Sequence, residues 1–125
     1  MKKIILTSNS AQPIGPYSQA VLAGNTLYVS GQIAINPNNG NLVVQNIEAE
    51  TVQVMQNLKA VLQAANMDCE HVVKTTIFLN NMDDFAKVNQ VYGTFFIANY
   101  PARETVAVKT LPKNVNVEIS AIAIK

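Results

Sequence analysis

Two helical segments lie between extended runs of this sequence, and their placement limits the folds that the chain can adopt. The first helix is predicted to begin after Asn46, which can cap it, and its apolar residues keep helical spacing as far as Asn66. The second is predicted to begin after Asn81. Its apolar side consists of Phe85, Val88, Tyr92, Phe95 and Phe96. The order strands, helix, strand, helix, strands predicts an α+β fold, a mixed sheet with both helices on one face.

The extended runs supply the predicted strands, and their pairing decides which side chains share a face. These runs are Lys3–Thr7, Ser18–Leu22, Thr26–Ile33, His71–Leu79, Glu104–Thr110 and Val115–Ile124. Gly24 and its neighbours predict a hairpin turn between the second and third strands. A further hairpin about Pro112 is predicted to pair the last two strands. In that pairing Arg103 and Glu118 lie on the same face of the sheet.

The length and composition favour one domain that associates with copies of itself. Residues 1–125 have the size of a single domain. Charged residues make up 14% of the chain, well under the roughly 25% of a typical soluble domain. A subunit interface would cover part of such a weakly charged surface, so we expect a homo-oligomer. The net charge is only +1, and the sequence has no run of basic residues such as nucleic-acid-binding proteins carry.

The sequence lacks targeting signals and sets of metal ligands. The lysines at positions 2 and 3 precede only three apolar residues, too few for a signal peptide. No run approaches the roughly 20 apolar residues of a membrane span. The single cysteine, Cys69, and the single histidine, His71, do not make a metal site. We expect a cytoplasmic protein that needs no metal.

Arg103 is the only arginine of the chain. It lies where a polar stretch ends and an extended run begins, and its guanidinium offers a planar fork that binds a carboxylate with two hydrogen bonds. Arg103 is therefore a candidate substrate-binding residue; the alternative is a solvated arginine without a role. Glu118 lies in mid-strand on a partly apolar face, so it is either a solvated carboxylate or one held for chemistry.

Other polar residues also lie at positions that the core pattern does not require. Asn89 falls on the apolar side of the second helix, so its amide is either a structural brace or a ligand contact. Tyr17 follows a rigid Gly-Pro pair that directs its ring; the alternative is a tyrosine of the core. At Ser30 and Gly31 an apolar strand ends with a glycine, which permits close approach of the backbone.

Collinear segments along nearly the whole chain resemble the RidA/YjgF family of enamine/imine deaminases. They are Ile14–Ala20, Ser30–Ile33, Val73–Phe78, Phe85–Asn89 and Pro101 through Leu111–Lys113 to Val117–Ile119. The resemblance implies a chorismate-mutase-like fold, assembled as a homotrimer with ligand clefts between subunits. It also implies hydrolysis of reactive 2-enamino and 2-imino acids, such as 2-aminoacrylate, 2-iminopropanoate and 2-iminobutanoate, to 2-keto acids and ammonia, without metal or cofactor. Such an enzyme limits metabolite damage.

The resemblance also implies roles for individual residues. The family's arginine, here Arg103, binds the substrate carboxylate, and its glutamate, here Glu118, is associated with the attacking water. Residues that match the family's cleft are Tyr17, Ser30, Gly31 and Asn89. Many members have a cysteine where this chain has Thr105, whose hydroxyl and backbone amide can still contact substrate. Glu104 is expected on the strand face opposite Arg103, away from the cleft.

Two other functions are compatible with the same resemblance. One is a sensor or chaperone-like protein that binds keto acids in the cleft without turnover. The other is a ribonuclease or translation inhibitor, an activity attributed to some relatives, against which the near-neutral charge argues.

Overall fold

The computed structural model describes all 125 residues and contains six strands and two α-helices. In chain order they are β1 (Lys2–Ile5), β2 (Ala20–Ala23), β3 (Thr26–Gln32), α1 (Ile47–Ala64), β4 (Val72–Leu79), α2 (Phe85–Gly93), β5 (Ala102–Ala107) and β6 (Val117–Ile124). The predicted order of strands and helices is confirmed, with strand ends shifted by up to three residues. Neither helix is long and apolar enough to cross a membrane.

Helix α1 follows the sequence prediction closely. The side chain of Asn46 caps it by accepting a hydrogen bond from the backbone N–H of Ala49 at 2.8 Å. The residues at helical spacing that predicted this helix are all buried: Thr51, Met55, Leu58, Leu62 and Ala65. Burial of this stripe is the main stabilising contribution of the helix, which packs on β3, β6 and α2.

Helix α2 is shorter than predicted. Asn81 caps a 3₁₀ turn, Met82–Asp84, through the backbone N–H of Asp83 at 2.9 Å, and this turn leads into the helix. The helix ends at Gly93. Phe96 therefore lies beyond the helix, where its ring packs at 5.0 Å, centroid to centroid, from that of Tyr92.

The strands form one sheet in the order β1-β2-β3-β6-β4-β5. All neighbouring pairs are antiparallel except β4 and β5, which are parallel. The predicted hairpin between β5 and β6 is therefore wrong, because β4 lies between them. The link between them is no tight turn: its Leu111 and Val115 are buried in a small apolar cluster with Ile33 and Ile35. This burial favours a link that passes the end of β4.

This strand order also separates Arg103 from Glu118. Residues directly opposite each other on paired strands share a face of the sheet. Arg103 lies opposite Thr75, and Thr75 lies opposite Ala121. Glu118 lies opposite Phe78, an odd number of residues away along β4. The two residues therefore point to opposite faces, and the prediction of a shared face is wrong.

The two faces of the sheet differ in what covers them. One face, here called the inner face, packs under both helices in a core cluster of 22 buried residues. The other, the outer face, carries large apolar side chains that nothing in the chain covers. The exposed ones are Ile4, Tyr28, Val106 and Ile124. An uncovered apolar sheet face is typical of a surface that associates with another protein.

Candidate active site

The guanidinium of Arg103 is held in a fixed orientation by residues of α2. Its Nη1 donates a hydrogen bond to Oδ1 of Asn89 at 2.5 Å. Its central carbon lies 5.1 Å from the ring centre of Tyr92 and 5.6 Å from that of Phe85. At these distances the negative ring faces attract the cation. Asn89 is thus a brace for Arg103, and the fork is oriented before any ligand binds.

The ring of Tyr92, which lies against the guanidinium of Arg103, is rigid and uncharged. It is buried, and its hydroxyl lies 2.7 Å from Oγ1 of Thr75 on β4. Burial raises the pKa of Tyr92, while the bond to Thr75 and the charge of Arg103 act against that rise. The phenol therefore stays uncharged at neutral pH, and Arg103 has no anion beneath it.

Arg103 opens onto a cleft of about 440 Å³ at the edge of the sheet, here called the arginine cleft. Its lining residues are Asn89, Tyr92, Gly93, Tyr100, Pro101 and Arg103. No carboxylate forms an ion pair with the guanidinium, since the one ion pair of the chain joins Lys74 to Glu104. An oriented guanidinium without an acidic partner is equipped to bind a carboxylate ligand.

Thr105 lies on the same face of β5 as Arg103, two residues further along the strand. Its hydroxyl oxygen is buried and has no hydrogen-bond partner, the one such side-chain atom in the protein. A buried hydroxyl without a partner costs about 1–3 kcal/mol. The hydroxyl is therefore a donor without a partner next to Arg103, although Thr105 does not line the arginine cleft itself.

Glu118 lies on the outer face of the sheet in close contact with Gly31. A Cβ atom added to Gly31 would lie 2.6 Å from Oε2 of Glu118, closer than real Cβ contacts allow. A side chain at position 31 would force the Glu118 carboxylate to move, so the glycine permits the close approach that the sequence predicts. The carboxylate has neither an ion pair nor a hydrogen bond within the chain. Burial alone raises the pKa of Glu118.

The surroundings of Glu118 form a second cavity of about 320 Å³, here called the glutamate pocket. It is lined by Ile14, Tyr17, Ser30, Gly31, Ile33, Pro112 and Glu118. The phenol oxygen of Tyr17 accepts a hydrogen bond from the backbone N–H of Ile14 at 3.3 Å, and the side chain is 47% exposed. Tyr17 is therefore not a core tyrosine. The hydroxyl of Ser30 donates to the backbone oxygen of Ser18 at 2.6 Å.

The predicted site residues thus fall into two groups. Arg103 and Asn89 line the arginine cleft, with Thr105 beside it on the same strand face. Tyr17, Ser30, Gly31 and Glu118 line the glutamate pocket. The two cavities share no lining residue and open on opposite faces of the sheet. Within one chain, a small substrate cannot contact Arg103 and Glu118 together.

Glu104 does not compete for Arg103. It lies on the outer face, where Nζ of Lys74 approaches its carboxylate to 3.1 Å and the hydroxyl of Thr76 donates to it. These contacts, the bond from Thr76 first, lower the pKa of Glu104. The expectation that Glu104 faces away from Arg103 is confirmed by the register of β5 on β4.

Some residues of the arginine cleft were missed because their sequence pattern indicated only a core. Tyr92 was assigned to the apolar side of α2, although it lies three residues after Asn89 and therefore on the same side of the helix. Tyr100 has no signal in the sequence, and Pro101 lies in a segment that matches the family but has no role assigned to it there. No cluster of three or more histidine, cysteine or acidic side chains is arranged to hold a metal ion.

Comparison with known proteins gives close matches over the whole chain. Residues 7–125 match the sequence model of the family described as Endoribonuclease L-PSP. A RutC family protein of Pyrococcus horikoshii is 50% identical, over 100% of this chain and 99% of that protein. The 2-iminobutanoate/2-iminopropanoate deaminase of Rattus norvegicus is 46% identical, over 100% of this chain and 91% of that enzyme. The crystal structure of a Rid-family protein from Yersinia pestis, 46% identical, has a TM-score of 0.97 and covers 100% of both chains.

Proposed function

The chain belongs to the RidA/YjgF family, and from this membership we propose that it hydrolyses reactive 2-imino and 2-enamino acids to 2-keto acids and ammonia. The fold is the one that the family resemblance implied. The deaminase name belongs to relatives such as the rat enzyme, whereas the relative from Pyrococcus horikoshii carries only a family name. The activity of this chain is therefore argued from its own residues.

The observation that carries the proposal is the guanidinium of Arg103, oriented by Asn89 and free of any carboxylate of the chain. A 2-imino acid carries a carboxylate next to its reactive carbon. If both carboxylate oxygens bind the fork, the imine carbon is fixed at a defined position. The hydroxyl of Thr105, which lacks a partner, and the backbone amide of the same residue offer further donors to that carboxylate.

Glu118 is the proposed base. The iminium carbon is already electrophilic, so the reaction requires a water molecule and a group that accepts its proton. The carboxylate of Glu118 takes one proton while the water oxygen bonds to the iminium carbon, which gives a carbinolamine. Glu118 then returns that proton to the nitrogen and takes the hydroxyl proton as the C–N bond breaks, which releases ammonia and leaves the keto acid. The raised pKa of Glu118 makes it a better base than an exposed glutamate.

We further propose that the active form is a homotrimer, in which each substrate contacts Arg103 of one subunit and Glu118 of its neighbour. Three arguments support two different chains at each site. The two residues lie on opposite faces of one sheet. The strand β5 is at the sheet edge, where a neighbour can reach the arginine cleft. The apolar outer face is uncovered in a single chain. The number three comes from the family resemblance.

The test is release of ammonia and keto acid from 2-iminopropanoate or 2-iminobutanoate generated in situ. Wild-type protein should accelerate release over buffer, and Arg103→Ala should lose the acceleration. Lys109→Ala removes an exposed positive charge elsewhere and serves as the control. Equal rates for wild type and Arg103→Ala would contradict the proposal. Saturable binding of keto acid by the wild type without any turnover would support the sensor function instead.

A second candidate, ribonuclease activity, is favoured only by the description of the family that matches residues 7–125. The net charge of +1 and the absence of a basic cluster in either cavity argue against RNA binding. Incubation of labelled RNA with protein purified in high salt tests it. Cleavage that persists through purification and is lost in Glu118→Gln would establish it.

A further inference from the structure

Two glutamine side chains lie buried beneath the glutamate pocket and have no role in the proposed reaction. Gln19 is 1% exposed and Gln32 is 4% exposed. Buried amides are retained where their hydrogen bonds are satisfied, and each satisfied bond fixes the groups that it joins. The partners of these two amides are the loop that carries Tyr17 and the strand end that carries Gly31.

Gln19 holds the loop that precedes Tyr17 by side-chain hydrogen bonds. Its Oε1 accepts a hydrogen bond from the backbone N–H of Thr7 at 2.7 Å, and its Nε2 donates to the backbone oxygens of Thr7 at 3.0 Å and Ala11 at 2.9 Å. Its own backbone oxygen accepts from the N–H of Ser30 at 2.9 Å. The loop before Tyr17 is therefore tied to the end of β3.

Gln32 joins the same loop to the residue before Gly31. Its Nε2 donates to the backbone oxygen of Ser30 at 3.0 Å, and its Oε1 accepts from the hydroxyl of Ser10 at 3.1 Å. Ser10 is fully buried. Without the amide of Gln32, both the Ser10 hydroxyl and the Ser30 carbonyl would lose this partner in the protein interior.

The segment that Gln32 holds is a β-bulge. Val29 lies opposite Ala121, but Gln32 lies opposite Ile119, so the two residues 30 and 31 oppose the single residue 120. The extra residue interrupts the ladder, and the bulge is held instead by the backbone bond from Ser30 to Gln19 and by side-chain bonds, among them that of Gln32. This bulge brings the backbone of Gly31 against the carboxylate of Glu118.

We propose that Gln32 is a positioning residue for Glu118: its buried amide fixes the bulge, and the bulge keeps the Gly31 backbone against the carboxylate, which shields that side of it from bulk water. This inference rests on the proposed role of Glu118 as the base. Loss of the amide lets the bulge move away from β6 and admits solvent to the carboxylate. Gln32 then acts on the reaction only through Glu118.

Few charged groups lie near Glu118, so solvation has the main influence on its protonation. Apart from Glu118 itself, the only ionisable side chain that lines the glutamate pocket is that of Tyr17. On the paired strand β4, Glu118 lies opposite the uncharged Phe78. Glu104 and Lys74 share the outer face but neutralise each other in an ion pair. Access of water to the carboxylate is therefore the main variable.

The test measures the titration of Glu118 directly, without reference to turnover. Protein labelled with ¹³C at the glutamate carboxyl carbons is titrated by NMR, and Glu118→Gln identifies the resonance. Gln32→Leu should move the midpoint of Glu118 to lower pH than in wild type. Asn57→Leu is the matched control: Asn57 is also buried, and its amide donates to the backbone oxygens of Ile33 and Ile35 at 3.1 and 2.9 Å, beyond the bulge. It should leave the midpoint in place.

An unchanged midpoint in Gln32→Leu, or an equal shift in Asn57→Leu, would overturn the inference. If Gln32→Leu does not fold, Ser10→Ala removes one of the two bonds without enlarging a side chain. It should shift the midpoint in the same direction by a smaller amount, and no shift would again overturn the inference. Ammonia release is measured on the same samples. A wild type without turnover contradicts the proposed function, whereas the titration alone decides the role of Gln32.

Discussion

Arg103 and Glu118 lie on opposite faces of one sheet, separated by the strand β4 that pairs with both of their strands. Arg103 faces the helices, where Asn89 and two aromatic rings hold it. Glu118 faces outward against Gly31. Each residue has the environment that its proposed role requires, but neither site is complete in one chain. Under the proposed mechanism, catalysis therefore requires the association of subunits.

The planar fork of Arg103 should matter more than its charge. Arg103→Lys keeps the charge but loses the geometry that binds two carboxylate oxygens. One hydrogen bond to a charged group contributes about 1.5–3 kcal/mol, so kcat/KM should fall by about 10- to 100-fold. Steady-state ammonia release measures this, with Lys109→Arg as a control at an exposed site. Full activity in Arg103→Lys would show that charge alone suffices.

An acidic residue in place of Asn89 should compete with substrate. Asn89→Asp puts a carboxylate where the amide oxygen now accepts from Arg103. The new ion pair draws the guanidinium away from the ligand, and KM should rise about tenfold or more. Asn89→Ala removes the brace without adding charge and should raise KM less. A KM for Asn89→Asp at or below that of Asn89→Ala would contradict the assignment of Arg103 as the carboxylate-binding residue.

Thr105→Val should raise the stability of the ligand-free protein and weaken substrate binding. The Thr105 hydroxyl is buried without a partner, so its removal should stabilise the ligand-free protein by about 1 kcal/mol. If that hydroxyl binds substrate, KM should rise severalfold in the same variant. Thermal unfolding and ammonia release measure the two effects. Thr76→Val, whose hydroxyl donates to Glu104, is the control and should not be stabilised. A destabilised Thr105→Val with unchanged KM would contradict the account.

The raised pKa of Glu118 should appear in the pH dependence of stability. The protonated form is favoured in the folded state, so its contribution to stability is complete below the ordinary glutamate pKa. That contribution is lost as the pH rises through the raised pKa of the folded state. Glu118→Gln should therefore unfold at a higher temperature than wild type at neutral pH. The difference should disappear below about pH 4. An equal difference at both pH values would contradict burial as the cause.

The sequence was sufficient for the local structure but not for the strand order. The cap at Asn46 and the last strand depend on neighbouring residues, and these predictions are confirmed. Asn81 caps the 3₁₀ turn that leads into α2 rather than the helix itself. The pairing of β5 depends on competition among strands far apart in the chain. A short link between β5 and β6 favoured a hairpin, yet β4 pairs with both strands. Burial of Leu111 and Val115 in that link could not be read from the local pattern.

The candidate site was predictable by residue type more than by arrangement. Arg103 is a single arginine, and Gly31 requires close contact, so both could be singled out in advance. Their distribution between two cavities follows from the strand order and could not be. Tyr92 was missed as a cleft residue because a buried aromatic residue on a helix has the same pattern whether or not its ring faces a cation.

The central claim, that each site takes Arg103 from one subunit and Glu118 from another, is tested most directly by mixing two inactive variants. Arg103→Ala and Glu118→Gln are unfolded, combined in equal amounts and refolded together, and ammonia release is compared with that of each variant refolded alone. In mixed trimers, about a quarter of the sites should combine an intact Arg103 with an intact Glu118, so about a quarter of wild-type activity should return. If both residues act from the same chain, every site lacks one of them. Activity no greater than the average of the two variants alone would contradict the account.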